Sequence, residues 1–530
     1  MPQDPAHSML AKIAAAMGGA DPLSVAAAAL GGLLIALVIV PNMPARRRIP
    51  GPFKLPVLGN APVLASYASR GKALELFQLY FEKFGPLIAL SVPGRTFLRT
   101  MDAALIHRAL TDTDTFRKGE VAYKTAADLL GDALFLLPAG DRWRRHRKQL
   151  QPAFTPTQLR NAAPFIGRVA DRLVDHLERL AGSAASGSAV VEIHAEFTAL
   201  TFDVIGLVGF SFDCKATESL RGGQRSEIFS VIEDISRIVI KRAPWPRMLW
   251  GLLGVGPNSP RVMRVRRHLN DLFDLVIAEK HAAMARSEPK DLKAMDILDR
   301  LLIGADEPGA LTQEEVAGEM IGFFFAGHET SANTLTFLVM ELARHQDVQE
   351  RLAAEIRAVL PTLKDGMTAD NMHEFKYLDF VVKESQRLNP VIIRIGRETT
   401  REIEYNGFVI PAKMHTMLGF YEVQRDPKYW PEPERFNPDR WDGLKPHSGS
   451  FVPFGDGPMN CIGQKLALIE IKMALVKLVD RFQLALEPGQ TLEFVSLMTR
   501  RLKHGLVVRL TPRLIRPLAP LASPPSGIIN

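Results

Sequence analysis

The sequence predicts a mainly α-helical protein with small β-sheets, one large helix-rich domain behind an N-terminal transmembrane helix. Three observations carry this expectation. Apolar residues recur at helical spacing through most of the chain. Strand-like runs are few and short. One stretch, residues 22–40, carries no charge at all and is built almost wholly of Ala, Leu, Val, Ile and Gly.

That stretch comes first. As a helix it would be about 28 Å long, roughly one hydrocarbon core. Arg46, Arg47 and Arg48 follow it, and the positive-inside rule places what comes after in the cytoplasm. A cleaved signal peptide carries its positive charge ahead of the apolar run, whereas here only Lys12 stands there. The sequence therefore divides into a short segment (1–21), an anchor (22–40), a basic and Pro/Gly-rich hinge (41–59), a main domain (60–511) and a Pro-rich tail (512–530). Within the domain, helices are expected over 72–84, 141–151, 155–181, 192–209, 227–241, 260–285, 312–345, 347–360, 377–388 and 464–482. Thr155-Pro156 is a hydroxyl cap followed by proline in the first turn. Thr312-Gln313-Glu314-Glu315 is a capping box. Strands are expected over 87–91, 96–99, 402–410 and 506–510.

Composition narrows the class. Hydrophobic content is 47% and charged content 23%, which suits a large packed core. The net charge of +7 suits an acidic partner or an anionic lipid surface. No zinc spacing, Arg-rich helix or aromatic RNA-binding signature points to nucleic acid. Two cysteines, Cys214 and Cys461, cannot make a disulfide framework, so the domain suits a reducing compartment.

Four clusters carry chemistry. Cys461 lies in the run Phe454–Gly463, with Gly457 and Gly463 on either side and a helical stretch directly after. A thiol at a helix start feels the positive end of the macrodipole, which favours thiolate, a soft ligand for iron. Taken alone it is as readily a small buried core residue. Ala326-Gly327-His328-Glu329-Thr330-Ser331 puts a glycine and two hydroxyls beside an acid inside the longest helix, where they favour a kink. Glu384 and Arg387 stand three apart on one helix face, an ordinary surface ion pair if nothing else bears on them. Trp143 and Arg147 stand four apart among Arg144, Arg145 and Lys148, a pattern that a solvated basic helix also shows.

Together, and in this order along residues 45–510, these clusters resemble the haem-thiolate monooxygenases, the cytochrome P450 family, in its microsomal, membrane-anchored form. The family's cysteine loop reads Phe-x-x-Gly-x-(Arg or His)-x-Cys-x-Gly, and Phe454, Gly457, Cys461 and Gly463 match it. Met459 stands where the family has a cation. The resemblance implies that Cys461 is the axial ligand of a haem b iron. It implies that Glu329 and Thr330, in the family's (Ala or Gly)-Gly-x-(Asp or Glu)-Thr motif, relay protons in dioxygen activation. Trp143, Arg147 and Arg394 are then the haem-propionate contacts. Glu384, Arg387 and Arg440 form a structural network, with Arg440 preferred over Arg435 because Phe436-Asn437-Pro438 precedes it.

The segments that the resemblance assigns to substrate contact are apolar: 133–137, 323–326, 391–393 and 497–498. A lipophilic substrate follows, sterol-like or fatty-acid-like. The stretch 243–253, with Trp245, Met248 and Trp250 flanked by basic residues, suits a membrane interface. No Gly-rich dinucleotide fingerprint is present, so electrons from NADPH must arrive through a separate flavoprotein reductase, with cytochrome b5 as a possible second donor. The expected location is the endoplasmic reticulum membrane, single-pass, with the catalytic domain in the cytoplasm. Two other readings stay open: a reductase-independent isomerase or dehydratase on the same fold, and a non-enzymatic haem- or lipid-binding protein.

Overall fold

The computed structural model describes residues 48–221, 227–242, 245, 247–286, 296–303, 309–364, 366–496 and 498–513. The expected anchor at 22–40 and most of the Pro-rich tail lie outside these residues. What is described is mainly helical with small antiparallel sheets. It falls into two compact units.

The smaller unit holds the described residues up to Asp102 together with Glu398–Met417. Its hairpin pairs Leu87–Val92 with Arg95–Thr100. Ile88 and Leu90 point from it into a cluster with Phe77 and Phe81. The Pro/Gly-rich stretch expected as a hinge is partly tied to this hairpin. Ala89 N–H donates to Pro50 O at 2.8 Å, and Asn60 bridges Phe53 O at 2.7 Å and Ser91 N–H at 2.9 Å. The single strand expected over 402–410 is instead a hairpin, Ile403–Tyr405 against Phe408–Ile410. Asn406 and Gly407 both take positive φ (50° and 78°), as a tight two-residue turn requires.

The larger unit holds Ala103–Arg397 and the described residues from Leu418 onward. Its core is the long helix Gln313–Arg344 packed with Ile193–Phe210, Pro156–Ser183 and Gln464–Arg481. The capping box opens the long helix: Thr312 Oγ1 accepts from Glu315 N–H at 3.2 Å and Glu315 Oε2 from Thr312 N–H at 3.0 Å. The helix then runs without a break through Ala326–Ser331. Ile193–Phe210 is apolar and long enough to cross a membrane, yet most of it is buried inside the unit. Its Asp203 carboxylate accepts from Ala216 N–H at 2.7 Å and Thr217 N–H at 3.0 Å, which fixes the next turn of chain. A three-stranded sheet, Ala189–Glu192, Val507–Pro512 and Phe482–Leu486 with Val507–Pro512 central, closes one side.

Glu384 and Arg387, on the helix Lys376–Leu388, are fully buried. Arg387 binds the carboxylate with both Nε and Nη2, at 3.0 and 2.9 Å. Arg440 Nε adds a contact at 2.9 Å, Trp441 Nε1 at 3.0 Å and Asn437 N–H at 2.9 Å. Arg435 instead pairs with exposed Glu432. Removing one member of a buried pair leaves an uncompensated charge, at a cost of about 3–5 kcal/mol. Arg387→Met is therefore expected to abolish accumulation of folded protein or lower its thermal midpoint sharply. Arg435→Met is expected to change little, and equal midpoints for the two variants would contradict the assignment.

Candidate active site

The cysteine loop is shaped by its own backbone. Cys461 N–H donates to Phe454 O at 2.9 Å, Gly455 N–H to Val452 O at 3.0 Å and Asn460 N–H to Gly457 O at 3.2 Å. Gly457 sits at φ +66°, and a Cβ there would stand 2.4 Å from Leu110 O of the helix Ala103–Thr111. Only glycine fits both constraints. The helix Gln464–Arg481 begins three residues after Cys461. The Cys461 side chain is exposed by surface area, with protein close on most sides. Burial pushes its thiol up, while the Gly463 N–H and the Arg147 guanidinium pull it down. A cationic ligand field, such as iron supplies, would complete the shift to thiolate.

Arg147 and Trp143 come from the helix Asp141–Leu150. Arg147 Nη1 and Nη2 donate to Asn460 O at 2.9 Å and Asn460 Oδ1 at 3.0 Å, joining this helix to the residue before Cys461. Trp143 is buried in the apolar cluster of the same region. A cleft of about 560 Å³ opens beside Trp143, Arg147, Lys148 and Gln151. Met459 is half-buried and packs against that apolar cluster.

On the long helix, Thr330 Oγ1 donates back to Ala326 O at 2.8 Å. Glu329 Oε1 accepts from Thr499 Oγ1 at 2.7 Å, while its Oε2 is buried with no hydrogen-bond partner. His328 is buried against Phe202, and burial holds its imidazole below the usual range, so it stays neutral. Of the apolar segments, Phe135 stacks on Phe325 (6.0 Å, 8°) and Phe154 on Phe323 (5.8 Å, 28°). Leu136, Leu137 and Phe324 are core residues. Leu497 lies outside the described residues, and Met498 is half-buried.

Sequence reasoning missed Thr499 and Arg397. Arg394 is half-buried at the start of the strand Arg394–Thr399. Arg397, three residues on, is 4% exposed. Its Nη1 donates to Gly396 O at 3.0 Å, and no carboxylate pairs with it among the described residues. Burial pulls it down to about 10. Lys118, part-buried, is pulled down to about 7 by burial and by the Arg397 guanidinium, against the pull of the Glu319 carboxylate. Arg397, a buried cation without a carboxylate partner among the described residues, fits an anionic group such as a haem propionate. An accessible thiol beside the Arg147 guanidinium fits the same cofactor. The signal for Arg397 was in the sequence: residues three apart on a strand face opposite sides, so Arg394 and Arg397 could not both point inward.

The comparisons agree with this geometry. The cytochrome P450 family model matches residues 49–506. Human cytochrome P450 4F8 is 31% identical over 81% of this chain and 81% of its own length. Mouse leukotriene-B4 omega-hydroxylase 3 is 31% identical over 74% of this chain and 76% of its own. Human cytochrome P450 3A5 is 31% identical over 82% and 85%. The chain belongs to the cytochrome P450 family and is a monooxygenase. The family uses haem, dioxygen and electrons delivered from NADPH through a reductase.

With Met459 apolar, the cysteine loop offers no cation of its own at that position. Met459→Arg is expected to slow the transfer of haem to an acceptor protein several-fold. Equal transfer rates would mean that the cations already present suffice.

Proposed function

We propose that this chain is a membrane-anchored hydroxylase of an elongated lipid acid. The observation that carries the reading is the apolar wall made by Phe135 stacked on Phe325. Phe325 lies four residues before Glu329 and therefore one turn away on the same helix face. A chain of methylenes laid against these rings comes within a helix turn of the acid. The mouse relative is named for oxidising leukotriene B4 at its omega end, which favours an elongated acid over a rigid sterol.

In this reading Cys461 holds the haem iron, and Arg147, Trp143 and Arg397 hold its propionates, with Arg397 taking the role that the sequence suggested for Arg394. When bound, haem supplies the oxidising power that activates dioxygen. Glu329 and Thr330 manage protons. Thr499 fixes one oxygen of the Glu329 carboxylate, and the other, unpaired, is left to take up a proton and pass it on. The Thr330 hydroxyl, held to Ala326 O, stands beside it on the helix. Arg142, Arg144 and Lys148 are exposed on the helix that carries Trp143 and Arg147. They suit an acidic flavoprotein reductase docking near the thiolate side, or cytochrome b5 in its place. The anchor at 22–40 places the enzyme in the endoplasmic reticulum membrane, facing the cytoplasm.

The test uses full-length protein in membranes with a reductase and NADPH. The reduced carbon-monoxide difference spectrum is expected to show the strongly red-shifted Soret band of thiolate ligation, and dodecanoic acid is expected to gain one hydroxyl. Turnover of cholesterol without turnover of dodecanoic acid would overturn the lipid-acid reading. An ordinary Soret position would overturn ligation by Cys461.

The lipid-facing patch expected over 243–253 needs one correction. Trp250 is buried, its Nε1 donating to Trp245 O at 3.1 Å and its ring lying 4.6 Å from the Arg242 guanidinium carbon. Trp245, Met248 and Leu252 are 50%, 85% and 87% exposed and remain candidates. Changing these three to Ser in an anchor-deleted form is expected to weaken its binding to lipid vesicles. Unchanged binding would remove the patch from the proposal.

A further inference from the structure

Thr499, whose hydroxyl donates to the Glu329 carboxylate at 2.7 Å, stands where a small hairpin turns back. Phe494–Ser496 pairs there with Arg500–Leu502, and Ser496 lies opposite Arg500. The two strands join no larger sheet among the described residues. A lone two-stranded hairpin is marginal in water, so its turn is placed by what else holds it. Arg500 supplies that hold. Its backbone N–H donates to Val391 O at 2.8 Å. Its Nη1 donates to Asn389 Oδ1 at 3.1 Å. Its guanidinium carbon lies 3.8 Å from the centre of the Phe494 ring, a cation against an aromatic face. Asn389 passes the contact on, donating from Nδ2 to Glu341 Oε1 at 2.8 Å. Thr499, Arg500, Asn389 and Glu341 are all buried.

Glu329 and Glu341 both belong to the long helix Gln313–Arg344. At 1.5 Å per residue they stand about 18 Å apart along its axis. Two adjacent residues of the hairpin thus reach one helix at two separated points, Thr499 directly and Arg500 through Asn389. Attachment at two points fixes where the turn lies along the helix as well as its distance from it. A buried guanidinium is costly, and an apolar side chain would fill the space at less cost. Burial pulls Arg500 down to about 10, so it is still a cation at neutral pH. We propose that Arg500, tied through Asn389 to Glu341, is a positioning residue that holds the Thr499 hydroxyl on Glu329 and thereby keeps proton delivery coupled to hydroxylation. This rests on the reading of Glu329 as a proton carrier. Arg500 itself moves no proton.

The reaction makes a loss of position measurable. When coupled, NADPH, a proton, dioxygen and R–H give NADP+, water and R–OH. When proton delivery is misplaced, the same two electrons and two protons leave with dioxygen as hydrogen peroxide, and R–H is untouched. The experiment uses full-length holoenzyme in membranes with a reductase and NADPH, and counts product and peroxide per NADPH with dodecanoic acid. Thr499→Val and Arg500→Met are each expected to lower product per NADPH several-fold and to raise peroxide. Thr499→Ser keeps the hydroxyl and Arg500→Lys keeps a cationic donor, and both are expected to recover most of the coupling. The double variant of Thr499→Val and Arg500→Met is expected to be no worse than Thr499→Val alone, because residues acting through one contact are not additive. The reduced carbon-monoxide spectrum is expected to stay the same in all of them, which separates the effect from damage around Cys461. Hydrogen exchange at the residue 500 amide is a further readout that needs no turnover. Arg500→Met is expected to speed it about tenfold, the factor for one lost hydrogen bond to a charged group. Full coupling in Arg500→Met, additive losses in the double variant, or unchanged exchange would each overturn the proposal. Glu329→Gln separates the two readings. If it stays fully coupled, the proton-carrier reading fails. If it uncouples while Arg500→Met does not, only the role of Arg500 fails. If the parent oxidises no dodecanoic acid, the lipid-acid reading fails, and the exchange arm still decides whether Arg500 holds the turn. Should Arg500→Met not accumulate, Asn389→Leu removes the acceptor of the guanidinium at similar volume and carries the same expectations.

Discussion

Glu384 is a carboxylate with no access to water, and much of the site side of the larger unit is arranged around its charge. A lone buried anion is too costly to keep, so it is held only where several donors converge on it. Here they converge from two stretches of chain about fifty residues apart: Arg387 on the same helix, and Asn437, Arg440 and Trp441 beyond it. Arg387 then extends the network, donating from Nη1 to Gln424 O at 2.9 Å. Gln424 returns two bonds, from Nε2 to Gln386 O and Arg387 O at 3.0 Å each, and accepts Val452 N–H at 3.2 Å. Val452 O in turn holds Gly455 N–H. An unbroken series of hydrogen bonds thus leads from Glu384 to the loop that presents Cys461. The pair contributes placement of the ligand loop more than net stability, because the gain in attraction is offset by the desolvation of both charges.

The long helix supplies the opposite wall by a different economy. It presents glycine where the 133–137 segment presses in, aromatic rings on an apolar face, and the Glu329 carboxylate one turn beyond Phe325. Its hydroxyls bond back four residues, Thr330 to Ala326 O and Thr334 to Thr330 O, both at 2.8 Å. The helix is continuous through the motif Ala326–Ser331. Glu470 is buried on the helix after the cysteine loop, and burial pushes its carboxyl up to about 8, so it sits in the core as a neutral acid at neutral pH.

What was legible in the sequence was whatever chemistry is written within a short string. The cysteine loop, the acid–threonine pair, the Glu-x-x-Arg pair and the Trp-x-x-x-Arg pair are local spacings, and the capping box at Thr312 is the same kind of signal. What was not legible came from residues that meet only after folding. Thr499 reaches Glu329 across 170 positions of sequence, and His146 reaches Glu319 across 173. Nothing in either neighbourhood marks the partner. Local errors had local causes. The run 402–410 was alternating enough to read as one strand, and the Asn406-Gly407 turn inside it was overlooked. Trp250 shared a patch with Trp245 and Met248 in composition but faces inward.

The choice between Arg394 and Arg397 shows where pattern matching stops and physical argument takes over. A motif supplies an arginine at roughly the right distance from Arg387, and Arg394 is the first one reached. The strand that begins there turns successive side chains to opposite faces, so the two arginines three apart cannot serve the same surface. One of them must be the more buried, and a buried guanidinium with no carboxylate beside it is tolerable only if something anionic arrives from elsewhere. Arg397 meets that description at 4% exposure. The same reasoning explains how the site tolerates Met459. In the proposed reading, the anion that Met459 cannot pair would be met by Arg147 from one helix and by Arg397 from the strand, while Met459 packs against the apolar cluster.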